Sequence, residues 1–306
     1  MAIVRVRSKS MKRILITAAL LYTVFAVFSM CDELDSQLAK ELLREKLYHA
    51  GLSARGDSGF VITSGTDTLY QGAWLVGLNG FLDRSGENSP FNEVGFNLCA
   101  SAGVWEKPFG IFNDLEISLN VPYFMNEVSL DSESGMGDPR ISVKTNVLQG
   151  RPLSDVPDIS LIMSAVLPGD EEGGYTQLDQ GGAEIGVIFG ARMPDSSGTS
   201  EFRLFVDVRL AVYDYLTVAE DKAQDQFIIS RFGISFPVLD IDNCFLLLET
   251  GKTVQNAHLM NGNDYSVAIR YKNTAYNWTA GVVMKDYEEE GISSSRRLYL
   301  MYDHKF

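Results

Sequence analysis

The sequence predicts an all-β fold, an antiparallel transmembrane β-barrel of about twelve strands preceded by a short N-terminal helix. Three observations carry this. From Leu69 to the last residue, apolar and polar side chains alternate with period two, so each segment presents one greasy face and one wet face. Longer and shorter connections tend to alternate along the chain, and aromatic residues gather at one end of the outward faces. The composition agrees. The 306 residues, 45% of them hydrophobic and 22% charged, suffice for one large domain, and a net charge of -14 argues against a nucleic-acid backbone as partner.

The chain opens with Arg5, Arg7, Lys9, Lys12 and Arg13, followed by the apolar run from Ile14 to Met30 and then Asp32-Glu33. That order reads as an export signal over residues 1–31, with an uncleaved single-pass anchor as the alternative. Cys31 directly after the run raises lipidation, although Met30 stands where a lipoprotein motif has a small residue. Cys99 and Cys244 lie inside apolar strand-like runs and read as packing residues; nothing in the spacing suggests a metal, and no cofactor is expected. Residues 32–68 are read as a helix and linker. Leu34, Leu38, Leu42, Leu43 and Leu47 draw a helical stripe that Gly51 closes. The stripe fits a linker helix packed on the body better than a periplasmic handle or a lumen plug, and whether 32–68 plugs the barrel is left open.

Residues 69–306 are read as the barrel, with strands at 69–83, 91–105, 112–125, 138–148, 156–168, 183–193, 201–213, 225–238, 243–254, 263–273, 276–287 and 295–306. The clearest is the third, where Leu115, Ile117, Leu119 and Val121 alternate with Glu116, Ser118 and Asn120. Long connections such as Asn126 to Gly137, Gly169 to Gly182 and Asp214 to Asp225 fall to one end, compact ones such as Leu239 to Asp242 and Asn273 to Ala275 to the other. A soluble sandwich has no reason to sort its loops this way. On the outward face Tyr271, Tyr276, Trp278, Tyr302 and Phe306 share the short-turn rim, as an aromatic girdle requires. Leu298, Leu300, Tyr302 and the terminal Phe306 resemble the C-terminal assembly signal of bacterial outer-membrane proteins, which implies the barrel-assembly machinery as a partner. His304 stands on that face where an apolar residue is commoner.

Parity places Arg140, Lys144, Arg203, Arg209, Arg231, Arg270, Lys272 and Lys285 inward, against Glu93, Glu116, Glu184 and Asp207. Ile162, Val166, Ile188, Ile229 and Val283 also point inward, so the lumen is either a mixed channel wall or a filled interior with charges paired across it. On this reading Val206→Arg is costly on the lipid face, whereas Arg209→Ala is expected to be mild.

The passage Ser134-Gly135-Met136-Gly137-Asp138-Pro139-Arg140-Ile141-Ser142-Val143-Lys144, after a strand ending Leu119-Asn120-Val121-Pro122-Tyr123, resembles the phenol-degradation (meta-pathway) outer-membrane proteins. The stretch Asp67-Thr68-Leu69-Tyr70-Gln71-Gly72-Ala73-Trp74 is similar to their entry into the first strand, and Pro139 departs from the apolar residue commoner there. The resemblance implies a barrel with a transport role and names no ligand.

Enzymatic readings find little footing. The histidines are His49 on the expected helix, His258 in an outer connection and His304 on the last strand, and no serine flanks His258 as a hydrolytic arrangement requires. Asp170-Glu171-Glu172 and Glu288-Glu289-Glu290 read as solvated loop charge, and Gly173-Gly174 is followed by Tyr175-Thr176 where a phosphate loop needs a lysine. With Asp131, Glu133, Glu220, Asp221 and Asp225, these acids fall to the outer connections, where divalent cations can bridge them to lipopolysaccharide, the partner expected alongside outer-membrane lipid. Two functions remain. One is a passive channel for small solutes, aromatic or anionic ones among them; the other is a non-conducting structural or surface-interaction barrel.

Overall fold

Pleating sends successive side chains to opposite faces, so each stretch of alternating polarity becomes a strand with its apolar face on one side of a sheet. The computed structural model describes residues 51–56, 59, 61–85, 92–106, 108, 112–126, 133–149, 157–169, 178–194, 201–215, 224–238, 241–255, 262–287 and 294–306. Its strands are β1 (Trp74–Ser85), β2 (Asn92–Glu106), β3 (Asp114–Asn126), β4 (Glu133–Met136), β5 (Arg140–Leu148), β6 (Asp158–Val166), β7 (Leu178–Pro194), β8 (Glu201–Tyr215), β9 (Gln224–Pro237), β10 (Cys244–Gln255), β11 (Gly262–Lys272), β12 (Tyr276–Tyr287) and β13 (Ser295–Lys305). Every neighbouring pair is antiparallel. β4 is a ribbon on the far end of β3, pairing Tyr123 with Met136. The others run as a meander in which β2 meets β3 and β13 returns to β1, with Leu75 opposite Lys305, so the wall closes. Closure removes the free edges that an open sheet cannot keep in lipid.

The two faces are inverted relative to a soluble protein. Outside stand Leu78, Leu98, Met163, Ile185, Leu210, Ile228, Ile269 and Leu300, each at least half exposed, with Leu210 at 59%. Inside, arginines, lysines and carboxylates are buried. Lipid is the solvent that makes this arrangement stable. The expected rim also forms. Trp278 and Tyr302 have ring centroids 4.8 Å apart, Tyr276 and Tyr302 6.2 Å, Tyr271 and Tyr276 6.4 Å, and His304 lies 4.4 Å from Phe306. Val206 shares the outward face of β8 with Val208 and Leu210, opposite buried Asp207. Val206→Arg is therefore expected to cost about 2–4 kcal/mol near the bilayer midplane. The check is urea unfolding in lipid vesicles beside Val206→Leu, and equal stability of the two would sink the lipid-face assignment.

The first strand begins at Trp74 rather than at residue 69, because Leu69 and Tyr70 belong to a segment inside the barrel. The chain leaves the lumen under Gly103, whose position a Cβ would deny to the Tyr70 carbonyl. There Gly72 N–H donates to the Gly103 carbonyl (3.0 Å) and Gly103 N–H to that of Ala73 (3.0 Å). Cys99 is buried among Leu52, Leu69, Ala73 and Leu75, and Cys244 is a free, partly exposed thiol. The signal, the helix over 32–49, Cys31 and most of the loop acids lie outside the described residues. Of those acids Glu133 falls on β4 and Asp225 on β9 rather than in connections.

Candidate functional site

The lumen holds the described residues of the chain's own segment Gly51–Tyr70, namely 51–56, 59 and 61–70. The segment has little regular structure; an isolated bridge joins Gly59 and Ser64, and Ala54 N–H donates to the Val61 carbonyl at 2.8 Å. A buried backbone without a partner strand must find its hydrogen bonds elsewhere. Here the barrel wall supplies them. The Glu249 carboxylate of β10 accepts the N–H groups of Val61 (3.1 Å), Ile62 (2.8 Å) and Thr63 (2.7 Å). Asp303 of β13 accepts from Leu52 N–H (3.1 Å), and Glu116 of β3 from Leu69 N–H (3.0 Å). Cations answer the carbonyls: Arg270 of β11 donates to Gly59 (2.7 Å) and Leu52 (3.0 Å), and Lys144 of β5 to Gly65 (3.2 Å). Ser160 of β6 and Asn146 of β5 both donate to the Thr66 carbonyl, Asn120 of β3 to that of Ala54, and Ser101 of β2 to that of Gly56. Contacts from so many strands place the segment across the lumen.

Apolar packing completes the filling. Val61 and Ile62 enter a cluster with Phe81, Phe205, Phe245, Leu247, Met301 and their neighbours. Each such side chain contributes roughly 1.5–3 kcal/mol when taken fully out of water.

The charged network links the segment to the wall. Glu184 of β7 is its hub, meeting Arg55 of the segment at 2.7 Å, Arg140 at 2.5 Å and Arg209 at 3.1 Å, and accepting the Tyr213 hydroxyl. Arg209 also holds Asp207 at 2.8 Å and donates to the Ser64 hydroxyl, while Arg203 pairs with Asp67. Glu116 and Lys144 lie 3.6 Å apart with side chains 0% and 1% exposed. In so dry a setting a carboxylate left without its cation is far more costly than at a surface.

The residues read as lumen-lining from parity fall on the interior face. Arg203, Asp207, Arg209, Arg270, Lys272, Lys144 and Glu116 are buried; Arg140, Arg231 and Lys285 are half-buried. Arg231 reaches Asp264 at 3.8 Å, and Lys272 lies over the Phe245 ring, 4.3 Å from its centroid. The structure corrects one expectation about them. Arg209 is not a mild wall residue facing water, because its side chain is 0% exposed and bridges two carboxylates and the segment. Parity alone locates Asp303 and Lys305 on the inward face of the last strand, yet both escaped notice beside the outward apolar set. Glu249 is hidden by the run Phe245 to Leu248, in which both faces are apolar. Arg55 and Asp67 lie in a segment with no period to read.

No protein-family model and no curated protein sequence matches the chain. Solved structures do. An outer-membrane channel from Pseudomonas putida F1 superposes with a TM-score of 0.57 at 13% identity, covering 81% of this chain and 100% of that one. The NanC porin gives 0.50 at 10% identity over 76% of this chain and 100% of its own. At these identities the likeness is one of fold. The chain has the fold of the outer-membrane β-barrels.

Proposed function

We infer that the protein is an outer-membrane channel for small solutes whose lumen is closed by Gly51–Tyr70 and opens when that segment withdraws. The observation that carries this is the way the segment is held. The wall grips it mainly through backbone groups, by carboxylates, amides, hydroxyls and cations that water or a passing solute can engage in its place. The fold shared with a channel and a porin supports the same reading, and the resemblance to phenol-degradation proteins agrees with a transport role. Export by residues 1–31, insertion through the barrel-assembly machinery by way of Leu298, Leu300, Tyr302 and Phe306, and bridging of loop acids to lipopolysaccharide belong to this proposal. The assembly step draws support from the outward, exposed placement of the terminal face, with Leu300 at 55% and Phe306 at 64%.

The second reading, a non-conducting structural barrel, draws on the apolar cluster that Val61 and Ile62 build with the wall. A substitution separates the two. A Cβ on Gly190 of β7 would lie 2.8 Å from Thr66 Cγ2 and 3.0 Å from Phe205 Cδ1. Gly190→Leu therefore presses on the segment. In planar bilayers it is expected to raise the time spent open above that of the wild type. If the lumen were already open, the added side chain would narrow it and lower the current; absence of current in both proteins would favour the structural barrel.

A further inference from the structure

On the outer wall, beside the aromatic rim, the strands leave an apolar groove of about 400 Å³ lined by Leu78, Gly80, Trp278, Leu300 and Tyr302. Gly80 of β1 makes it. The position faces outward between Leu78 and Leu82 of its own strand, with Leu300 of β13 opposite it on one side and Phe96 of β2 on the other. Glycine inside a strand weakens it, and often marks a bulge or a place where another molecule comes close to the backbone. The pairing of β1 runs through Gly80 on both sides without a shift of register, which excludes a bulge. Crowding does not account for it either. At Gly77, Gly95 and Gly186 a Cβ would stand less than 3.0 Å from a neighbouring atom, whereas at Gly80, among the described residues, it would meet the Leu300 carbonyl oxygen alone, at 3.9 Å.

The groove is continuous with the lipid-facing band, for Leu78, Leu82, Leu98 and Leu300 around it are each at least half exposed. Toward the short turns it is bounded by the ring pair Trp278 and Tyr302, opposite each other in register with centroids 4.8 Å apart. Lipid tails are as apolar as this wall, so what stays on it is decided by packing rather than by escape from water. A smooth stretch of wall touches a chain along one side. A groove touches it along several, and the dispersion contacts add. The Tyr302 hydroxyl, 3.1 Å from His304 Nδ1, places polar groups at the rim, where the ester and headgroup of a seated lipid would lie. Short turns face the periplasm in outer-membrane barrels, which puts the groove in the inner, phospholipid leaflet. We propose that this groove binds one acyl chain of an inner-leaflet phospholipid, which stays on the barrel longer than the lipid around the rest of the wall. The site stands on the fold and holds whether or not the lumen conducts.

The full-length protein, extracted in mild detergent, taken through repeated detergent exchange and weighed by native mass spectrometry, is expected to keep one phospholipid per chain. Gly80→Leu fills the groove with a side chain for which the wall has room. It should lower that occupancy at least about tenfold and leave the heat-modifiable mobility of the folded barrel unchanged. A wild type that retains no phospholipid, equal retention in Gly80→Leu, or retained lipopolysaccharide in place of phospholipid overturns the proposal. So does a dimer that Gly80→Leu takes apart, because a second copy would then be the occupant. A further measurement decides even if Gly80→Leu fails to fold. Trp105 stands on the outward face at the same end of the barrel, 45% exposed against 44% for Trp278, but outside the groove. Two single-tryptophan proteins are made by replacing Trp74 and one of this pair with Phe. In micelles, added phospholipid with brominated chains should quench Trp278 saturably, at about a tenth of the concentration that Trp105 requires. Equal concentrations for the two overturn the site.

Discussion

Arg209→Ala is expected to destabilise the barrel by about 3–5 kcal/mol, the range for removing one partner from a buried ion pair. The cost falls unevenly on the groups left behind. Glu184 keeps Arg55 at 2.7 Å and Arg140 at 2.5 Å, so its charge remains answered. Asp207 does not fare as well. It loses the contacts from Arg209 Nε at 2.9 Å and from the guanidinium terminus at 2.8 Å, and retains the Ser64 N–H at 3.4 Å. A carboxylate so exposed to a dry interior either draws in water, which means displacing the segment at Ser64, or lowers the stability of the closed form. Urea unfolding in lipid vesicles reads the loss directly. The double variant Arg209→Met with Asp207→Leu should recover most of it, because an apolar pair of similar volume buries no unpaired charge. A loss below about 1 kcal/mol for the single variant would show that the pair is solvated, as exposed pairs are.

Glu249→Ala should release the segment more directly. One carboxylate accepts three consecutive N–H groups, from Val61, Ile62 and Thr63, and the substitution leaves all three without that acceptor. Each unmatched buried donor costs about 1–3 kcal/mol; after the relief of no longer burying the carboxylate, the closed state is weakened by on the order of 3 kcal/mol. In the withdrawn state water satisfies the same groups, so the difference acts on the equilibrium between closed and open. At 1.4 kcal/mol per factor of ten, that is roughly a hundredfold gain in the open-to-closed ratio. Single-channel recording and protease access to the segment measure it independently. An unchanged open fraction together with unchanged protease resistance would mean that apolar packing around Val61 and Ile62, and not Glu249, holds the segment.

The barrel was legible in the sequence because its determinant is local. Period-two alternation assigns a face to every residue of a strand, and a closed wall then needs only pairing with the next strand. That is why the boundaries of β12, those of β11 to within one residue, the outward face Leu298-Leu300-Tyr302, and the inward Arg203, Asp207 and Arg270 agree with the pattern. The same reasoning failed at Arg209→Ala for a definite reason. Parity says which way a side chain points, and says nothing of whether water or another part of the chain waits there. Gly51–Tyr70 has no alternation, since its backbone bonds go to side chains of strands far away in sequence, such as Glu249, Asp303 and Arg270. Sequence alone determined the wall and its two faces. The closed lumen was decided only by tertiary structure, because it depends on long-range hydrogen bonds between an aperiodic segment and residues that the closing of the barrel brings around it.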